Sequence, residues 1–233
     1  MKLGKLYGVG TGPGDPGYLT LRAAELLRCA DVIFTVISPN AKFSISRSVV
    51  ESQKPRGVIR QLIFSMSRDR AAREAQVRAN AEEIMSEIRR GKDCVFATLG
   101  DTMTYSTFGY IMEIVRSELP EVEIEIVPGV TSFAALAARA KCVLVENGEE
   151  LRIVPSFRTD RASSLELEPN TSTILLKTYH SRKALLERLQ QEEGVSVLYG
   201  EMLTMDGEFI TSDTQAMLDR PEEYLSLMLV KKK

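Results

Sequence analysis

Histidine and cysteine are scarce in this chain, and this limits its metal and redox chemistry. The 233 residues include one histidine and three cysteines. A single histidine cannot build a zinc site of the usual histidine-rich kind. Cys29, Cys94 and Cys142 lie far apart in apolar surroundings and have no C-x-x-C spacing. We therefore expect reduced, buried thiols and no bound metal or disulfide.

Long apolar runs and basic stripes are also missing. No apolar run approaches the ~18 residues of a membrane-spanning helix. Five glycines interrupt the start of the chain, where a signal peptide would need an apolar stretch. The 30 Lys and Arg and the 32 Asp and Glu residues are scattered, with a formal net charge of −2, so nothing favours nucleic-acid binding. We expect a cytoplasmic protein with neither a membrane nor a nucleic acid as partner.

The first half of the chain has the pattern of an α/β domain. Short apolar runs alternate with helical periods, which predicts a parallel sheet covered by helices. We interpret Asp15 as the N-cap of the first helix and Pro16 as its first residue. The predicted strands are 6–10, 32–36, 58–63, 94–100 and 122–127, and the predicted helices are 19–30, 44–53, 71–90, 107–119 and 131–140.

The second half changes to a pattern in which strands dominate. Helices are predicted only at 182–193 and 213–219. This α+β pattern favours antiparallel pairing, and we place a domain boundary near residue 128. The predicted strands are 151–155, 172–178, 196–202, 208–213 and 223–230.

Four segments combine turn residues with a bordering apolar run, at 6–15, 98–107, 127–133 and 200–208. Each can bring backbone N–H and C=O groups to the edge of a cleft. The first segment is not a dinucleotide-binding loop, because its spacing is GxGxG followed by proline. A simple glycine turn remains an alternative for it, as does helix capping for Asp101 and for Thr131 with Ser132.

These four segments, in this order, resemble the tetrapyrrole (corrin/porphyrin) methylase family, whose members use S-adenosylmethionine (SAM). The resemblance runs from Leu6 to about Val230. It implies a two-domain α/β architecture of the class III SAM-methyltransferase kind. The N-terminal domain, 1–128, would hold a mostly parallel sheet, and the C-terminal domain, 129–233, a mixed α+β sheet. The active-site cleft would lie between them.

The resemblance also implies the cofactor contacts. Main-chain groups near Gly100 would meet the methionine end of SAM, and those near Thr178 and Leu203 the adenosine end. The sequence departs from the family pattern at Thr102, which replaces a proline, and at Leu203, which replaces a small residue. Glu201 and Glu208 are expected to hydrogen-bond inside the last loop. The matched positions are Pro13, Leu99, Gly100, Asp101, Thr104, Thr131, Ser132, Thr178 and Leu203.

The implied substrate is a reduced tetrapyrrole with eight carboxylates, so cations are expected to bind it. Stretches 5–23, 99–115 and 121–156 most resemble family members that methylate the C20 meso carbon. Tyr105 and Asp101 are candidates for removing the C20 proton afterwards. The substrate-binding candidates are Gly10, Gly12, Lys42, Arg47 and Arg152, with Arg158 and Arg161 as further cations.

Several points stay open from the sequence. Segment 37–70 is long for a connection, so we expect it to help form the mouth for the tetrapyrrole. The alternative for this segment is a flexible surface loop without ligand contact.

Members of the family form dimers, so the resemblance implies a homodimer. The substrate could be metal-free or loaded with cobalt. A methylase acting at another ring position or on another substrate, or a non-catalytic protein that binds SAM or a tetrapyrrole, also remains possible.

Overall fold

The chain divides into two compact units, Met1–Thr131 and Ser132–Lys233. The structure is a computed structural model that describes residues 2–38, 43–64, 69–155 and 159–232. Within these ranges, no helix combines the length and apolar character that crossing a bilayer requires. The same residues include no group of three or more His, Cys, Asp or Glu side chains suited to hold a metal ion.

The first unit is a parallel sheet of five strands in the order β3-β2-β4-β1-β5. Every pair in it runs parallel, as the alternation of strands and helices predicts. The strands are β1 Leu6–Gly10, β2 Val32–Ile37, β3 Val58–Ile63, β4 Cys94–Thr98 and β5 Ile124–Val127. The helices are α1 Leu21–Cys29, α2 Ile45–Ser52, α3 Arg70–Arg89 and α4 Phe108–Glu118.

Alternation along the strands divides the first core into two layers. Leu6 packs with α3 and α4 on one face of the sheet, whereas Tyr7 and Val9 pack with α1 and α2 on the other. Successive strand residues point to opposite faces, so a five-residue run supplies both layers. Gly8 faces α4, where an added Cβ would lie 2.4 Å from the Phe108 ring.

The start of the first helix differs from the prediction. Asp15 accepts the Gly17 amide at 2.7 Å and caps a short 3-10 turn, Pro16–Tyr18. Thr20 is the N-cap of α1 and accepts the Ala23 amide at 3.1 Å. The two caps follow one another because Leu19 is extended, with ψ 139°, and this interrupts the helical path.

The cysteines also differ from the expectation of burial, because Cys29 is exposed and Cys142 half-buried, although all three are free.

The second unit is a mixed sheet of five strands in the order β6-β7-β10-β8-β9. Antiparallel pairing joins β10 to β7 and β8, and β8 to β9. The pair β6–β7 is parallel, and the chain between the two strands is long enough for the crossover that parallel strands need. The strands are β6 Glu150–Pro155, β7 Thr171–Leu176, β8 Val195–Glu201, β9 Phe209–Thr211 and β10 Ser226–Lys232.

Helices cover both faces of the second sheet. α5, Ser132–Arg139, packs through Leu136 on the face that includes Ile174 and Leu229. α6, Arg182–Leu189, and α7, Thr214–Leu218, pack on the face that includes Leu175 and Met228. Strands β6, β7 and β8 all run in one direction, so their carboxyl ends meet at one edge.

Candidate active site

Two glycines join the loops that follow β1 and β4. The Gly12 amide donates to the Gly100 carbonyl at 3.1 Å, and the Gly100 amide donates to the Gly12 carbonyl at 2.7 Å. Their φ angles are +75° and +76°, in the left-handed region that glycine adopts without steric cost. This bridge holds both loops at the carboxyl edge of the first sheet, where open α/β sheets bind ligands.

A third loop, after β5, packs against this bridge at Gly129. A Cβ built on Gly129 would lie 2.1 Å from the Gly100 carbonyl oxygen and 2.9 Å from the Gly10 backbone. A Cβ on Gly10 would lie 2.7 Å from the same carbonyl oxygen. Side chains cannot occupy this space, so glycine is required where the three strands β1, β4 and β5 release their loops.

Asp101 fastens the loop after β4 to the loop after β5. Its Oδ2 accepts the Gly129 amide at 3.0 Å, and its Oδ1 accepts the Met103 amide at 3.0 Å and the Thr104 hydroxyl at 2.8 Å. Partial burial acts to raise the pKa of Asp101, but the hydrogen bonds from Gly129, Thr104 and Met103 outweigh it and lower this pKa. Since α4 begins at Phe108, Asp101 is not its N-cap.

Thr102 makes a second connection, from the loop after β4 to the last residue of β5. Its side chain is fully buried, and its hydroxyl donates to the Val127 carbonyl at 2.8 Å. The proline of the family pattern has no side-chain donor and could not make this bond. Thr102 therefore restrains the loop by a hydrogen bond, where the proline of the family pattern would restrain it by its ring.

The loop after β4 presents two large side chains to solvent. Tyr105 is 53% exposed and Met103 is 52% exposed. Tyr105 has a φ of +51°, which is uncommon for a bulky residue and is found where the surroundings impose it. The hydrogen bonds of Asp101 and Thr102, a few residues earlier, restrain the loop in this conformation.

Two further candidates, Pro13 and Leu99, lie at the same edge of the first sheet, and two others lie at the boundary of the units along the chain. Pro13 is buried directly after Gly12, and Leu99 is half-buried directly after β4. Thr131 ends the first unit, and Ser132 is the first residue of α5. The structure thus places Pro13 and the 99–104 segment together on neighbouring loops.

Thr178 and Leu203 lie at one edge of the second sheet. Thr178 follows β7 and is fully buried, with its hydroxyl 3.4 Å from that of Ser226 at the start of β10. Leu203 follows β8 and is 3% exposed. Because β7 and β8 run in the same direction on either side of β10, the two residues leave the sheet at the same edge with the start of β10 between them.

The loop that carries Leu203 has a strained backbone. Met202 and Thr204 have φ angles of +47° and +65°, and residues other than glycine rarely adopt such values. Glu208 braces this loop, since it accepts the Thr204 amide at 2.7 Å and pairs with Arg139 of α5. The Arg139 hydrogen bond lowers the pKa of Glu208.

Glu201 does not bond inside this loop, contrary to the prediction. It is fully buried and pairs with Arg182 and Arg220. The sequence pattern put both glutamates near the loop, but β8 ends at Glu201 and turns that side chain into the core.

The cationic side chains that are candidates for binding the substrate lie on separate elements. Arg47 is on α2 and pairs with Glu51 at 2.7 Å. Arg152 is on β6 and donates to the Glu166 carbonyl at 2.9 Å. Lys42 and Arg158 lie outside the described residues, as does the side chain of Arg161. Of the proposed mouth, Phe43 is largely exposed, and Ile45 begins α2.

Sequence reasoning did not single out Gly129, although it lies inside one of the four segments. The only signal was its position after a proline at the end of a predicted strand. Its need for glycine arises from Gly100, 29 positions earlier in the sequence, and no local pattern reports that contact.

Comparisons with known proteins add to this geometry. The family model described as Tetrapyrrole (Corrin/Porphyrin) Methylases matches residues 5–219. The chain is 34% identical over 233 residues to the cobalt-precorrin-2 C(20)-methyltransferase of Salmonella typhimurium, covering 98% of this chain and 97% of that protein. It is 29% identical to a probable cobalt-precorrin-2 C(20)-methyltransferase of Methanocaldococcus jannaschii, covering 98% and 96% of the two chains.

A solved structure shares the fold. The uroporphyrin-III C-methyl transferase of Thermus thermophilus, complexed with S-adenosylhomocysteine, matches with a TM-score of 0.66 and 21% identity. The match covers 98% of this chain and 97% of that one. The predicted architecture, a two-domain α/β fold of the class III kind, is confirmed.

Proposed function

Because this chain belongs to the tetrapyrrole (corrin/porphyrin) methylase family, we propose that it methylates C20 of precorrin-2 or of cobalt-precorrin-2 (cobalt-factor II), with SAM as donor, in cobalamin biosynthesis. The observation that carries the proposal is the similarity to the Salmonella C(20)-methyltransferase, which runs almost from end to end in both proteins. The glycine junction at the carboxyl edge of the first sheet supports a ligand site in the expected place.

The loop after β4 suits the amino-acid end of SAM. A Cβ built on Gly100 meets no atom within 4 Å, although Gly10 and Gly129 beside it are tightly enclosed. Gly100 therefore borders open space, and a ligand could lie directly against the backbone. We assign this end of SAM to main-chain groups of Leu99, Gly100 and Asp101, with further contacts from Pro13, Thr104, Thr131 and Ser132.

The adenosine end is assigned to the second unit, at Thr178 and Leu203. Both residues are buried, and the Thr178 carbonyl accepts the Ser181 amide at 3.0 Å. The assignment to main-chain groups comes from the positions that match the family pattern. The larger Leu203, where the family pattern has a small residue, packs into the core with Ile174 and Leu227. It need not obstruct the adenine ring.

When bound, SAM supplies an electrophilic methyl group on a positively charged sulfur. The chain's own task is then alignment of the methyl with the ring carbon, which is worth up to about 7–11 kcal/mol in ideal cases. Asp101 holds the loop by three hydrogen bonds and has a lowered pKa, so positioning suits it better than proton removal. Tyr105, exposed on the same loop, is the better candidate to meet the substrate.

The carboxylates of the tetrapyrrole need cations, and we assign Arg47, Arg152 and Lys42 to them, with Gly10 and Gly12 against the ring. The Arg47 side chain forms an ion pair with Glu51, a surface glutamate on its own helix. Surface pairs of this kind contribute about 0–1 kcal/mol, so a substrate carboxylate could displace Glu51 at small cost.

We also propose a homodimer. The edge strand β3 exposes Val58 and Ile63, and the edge strand β6 exposes Leu151. Such edges are usually covered. Sedimentation at micromolar concentration should give twice the 26.0 kDa chain mass, and a species of the single-chain mass alone would refute the dimer.

The function is tested by incubating the protein with SAM and either metal-free or cobalt-loaded substrate. Mass spectrometry should show a gain of one CH2 unit in at least one substrate, and NMR should place it at C20. Methylation at another carbon would identify a different corrin methylase. Binding of SAM without turnover of either substrate would identify a non-catalytic binding protein.

A further inference from the structure

A buried ionic cluster lies in the second unit, next to the segments that carry Thr178 and Leu203. It consists of Arg182, Tyr199, Glu201 and Arg220, and we call it the Glu201 cluster. Arg182 donates to Tyr199 Oη at 2.8 Å and to Glu201 Oε1 at 3.2 Å. Tyr199 Oη donates to Glu201 Oε1 at 2.5 Å, and Arg220 Nε donates to Glu201 Oε2 at 2.8 Å.

The cluster is closed off from solvent on most sides. Tyr199 and Glu201 are 0% exposed and Arg182 is 6% exposed. Arg182 also donates to the carbonyls of Arg220 and Pro221. Desolvation, with the hydrogen bond to Glu201, raises the pKa of Tyr199 to about 12, so the phenol stays protonated and keeps donating.

The two residues of the central ion pair lie directly next to the two segments assigned to adenosine. Arg182 is the first residue of α6 and follows directly on 177–181, the segment that carries Thr178. Glu201 is the last residue of β8 and precedes the loop that carries Leu203. The Arg182–Glu201 pair therefore connects these two segments directly, in addition to the strand β10 that lies between β7 and β8.

Stability alone gives a weak reason for such a cluster. Buried ion pairs are often replaceable by hydrophobic residues of similar volume without loss of stability. The backbone beyond Glu201 is strained, with left-handed Met202 and Thr204, and such conformations persist only where the surroundings determine them. The hydrogen bonds of Glu201 have fixed directions, so they are suited to holding this backbone in one conformation.

We propose that Arg182 and Glu201 are positioning residues, which set the spacing of the Thr178 and Leu203 main-chain groups for the adenosine end of SAM. The proposal rests on the proposed function. It predicts that loss of the pair weakens cofactor binding more than it weakens the fold or the chemical step.

The test is the paired variant Arg182→Met with Glu201→Leu, which removes both charges and keeps the volume. Affinity for S-adenosylhomocysteine is measured by calorimetry, the melting temperature by scanning calorimetry, and KM and kcat by turnover. We expect affinity about tenfold weaker and KM for SAM raised to match, with kcat at saturating SAM within about twofold of wild type.

The matched control is Glu192→Gln. Glu192 pairs with Arg188 and Lys232 at the opposite edge of the same sheet, so its loss should leave affinity and KM unchanged. If the paired variant melts lower but binds as wild type does, the cluster is merely structural and the inference is overturned. If the wild-type protein itself fails to bind S-adenosylhomocysteine, the proposed function fails instead.

If the paired variant does not fold, Tyr199→Phe decides the matter. It removes only the hydroxyl that touches both Arg182 and Glu201. We expect affinity about threefold weaker with kcat unchanged, in keeping with one lost hydrogen bond. Wild-type affinity in this variant would overturn the inference.

Discussion

Gly129→Ala should disrupt the junction of the three loops in the first unit. The new Cβ would lie 2.1 Å from the Gly100 carbonyl oxygen, whereas ordinary contacts begin at 3.4 Å. One loop must therefore retreat by about 1.3 Å, because both partners are backbone and neither can rotate away. The movement would loosen the Gly129–Asp101 hydrogen bond and the paired bonds between Gly12 and Gly100.

The magnitude follows from these contacts. Overpacking costs about 1–3 kcal/mol, and each loosened hydrogen bond adds about 0.5–1.5 kcal/mol. With three hydrogen bonds loosened, a total of about 2.5–7.5 kcal/mol should lower the melting temperature by about 5–30 °C for a chain of this size. Affinity for S-adenosylhomocysteine should fall as well, because Gly100 borders the proposed cofactor position.

Scanning calorimetry measures the first effect and titration calorimetry the second. The control is Gly109→Ala in α4, where an added Cβ meets no atom within 4 Å, so stability should hold or rise by up to about 1 kcal/mol. Wild-type melting temperature and wild-type affinity in Gly129→Ala would refute the close approach of the three loops.

Four further outcomes follow from the same site. Gly100→Val should abolish S-adenosylhomocysteine binding and Thr178→Val should be mild, since the proposed contacts are main-chain; equal losses in titration calorimetry would count against a main-chain site. Thr102→Val should cost about 1–3 kcal/mol of unfolding free energy in urea, because the buried carbonyl ending β5 loses its donor. The folded pKa of Asp101 is lowered, so its contribution to stability is complete above the unfolded pKa and lost as pH falls through the folded value; the stability gap to Asp101→Asn should be constant near neutral pH and shrink in acid, and a gap independent of pH would contradict this. Arg47→Ala should raise KM for the tetrapyrrole and leave SAM affinity unchanged, and a loss of SAM affinity alone would remove Arg47 from the substrate mouth.

Local patterns were sufficient for most elements of the first unit. The helical period of 71–90 predicts α3 within one residue at each end, because its apolar face and Gly91 both act locally. The predicted strands also match β1 through β5 in order. The strands β1, β2 and β4 are apolar on both faces because they lie inside the parallel sheet, whereas the edge strands β3 and β5 keep polar residues.

Local patterns failed where two signals compete or where a partner is distant. Asp15 followed by Pro16 has the pattern of a helix start, but the extended Leu19 gives that role to Thr20. The parallel pairing of β6 with β7 depends on the path of the connection between them. The composition of the strands does not encode that path.

The sequence by itself was enough to predict the family and the fold class, through the resemblance carried by the four turn segments in their order. Glycine, proline and aspartate mark such turns because they act through their own backbone and local hydrogen bonds. Only the tertiary structure decided which of these residues depend on each other. Gly129 must be glycine because Gly100 lies against it, and Glu201 can be buried because Arg182 and Arg220 come to it from elsewhere in the chain. Contacts of this kind join residues far apart in sequence, so their energies belong to pairs and no single position reveals them.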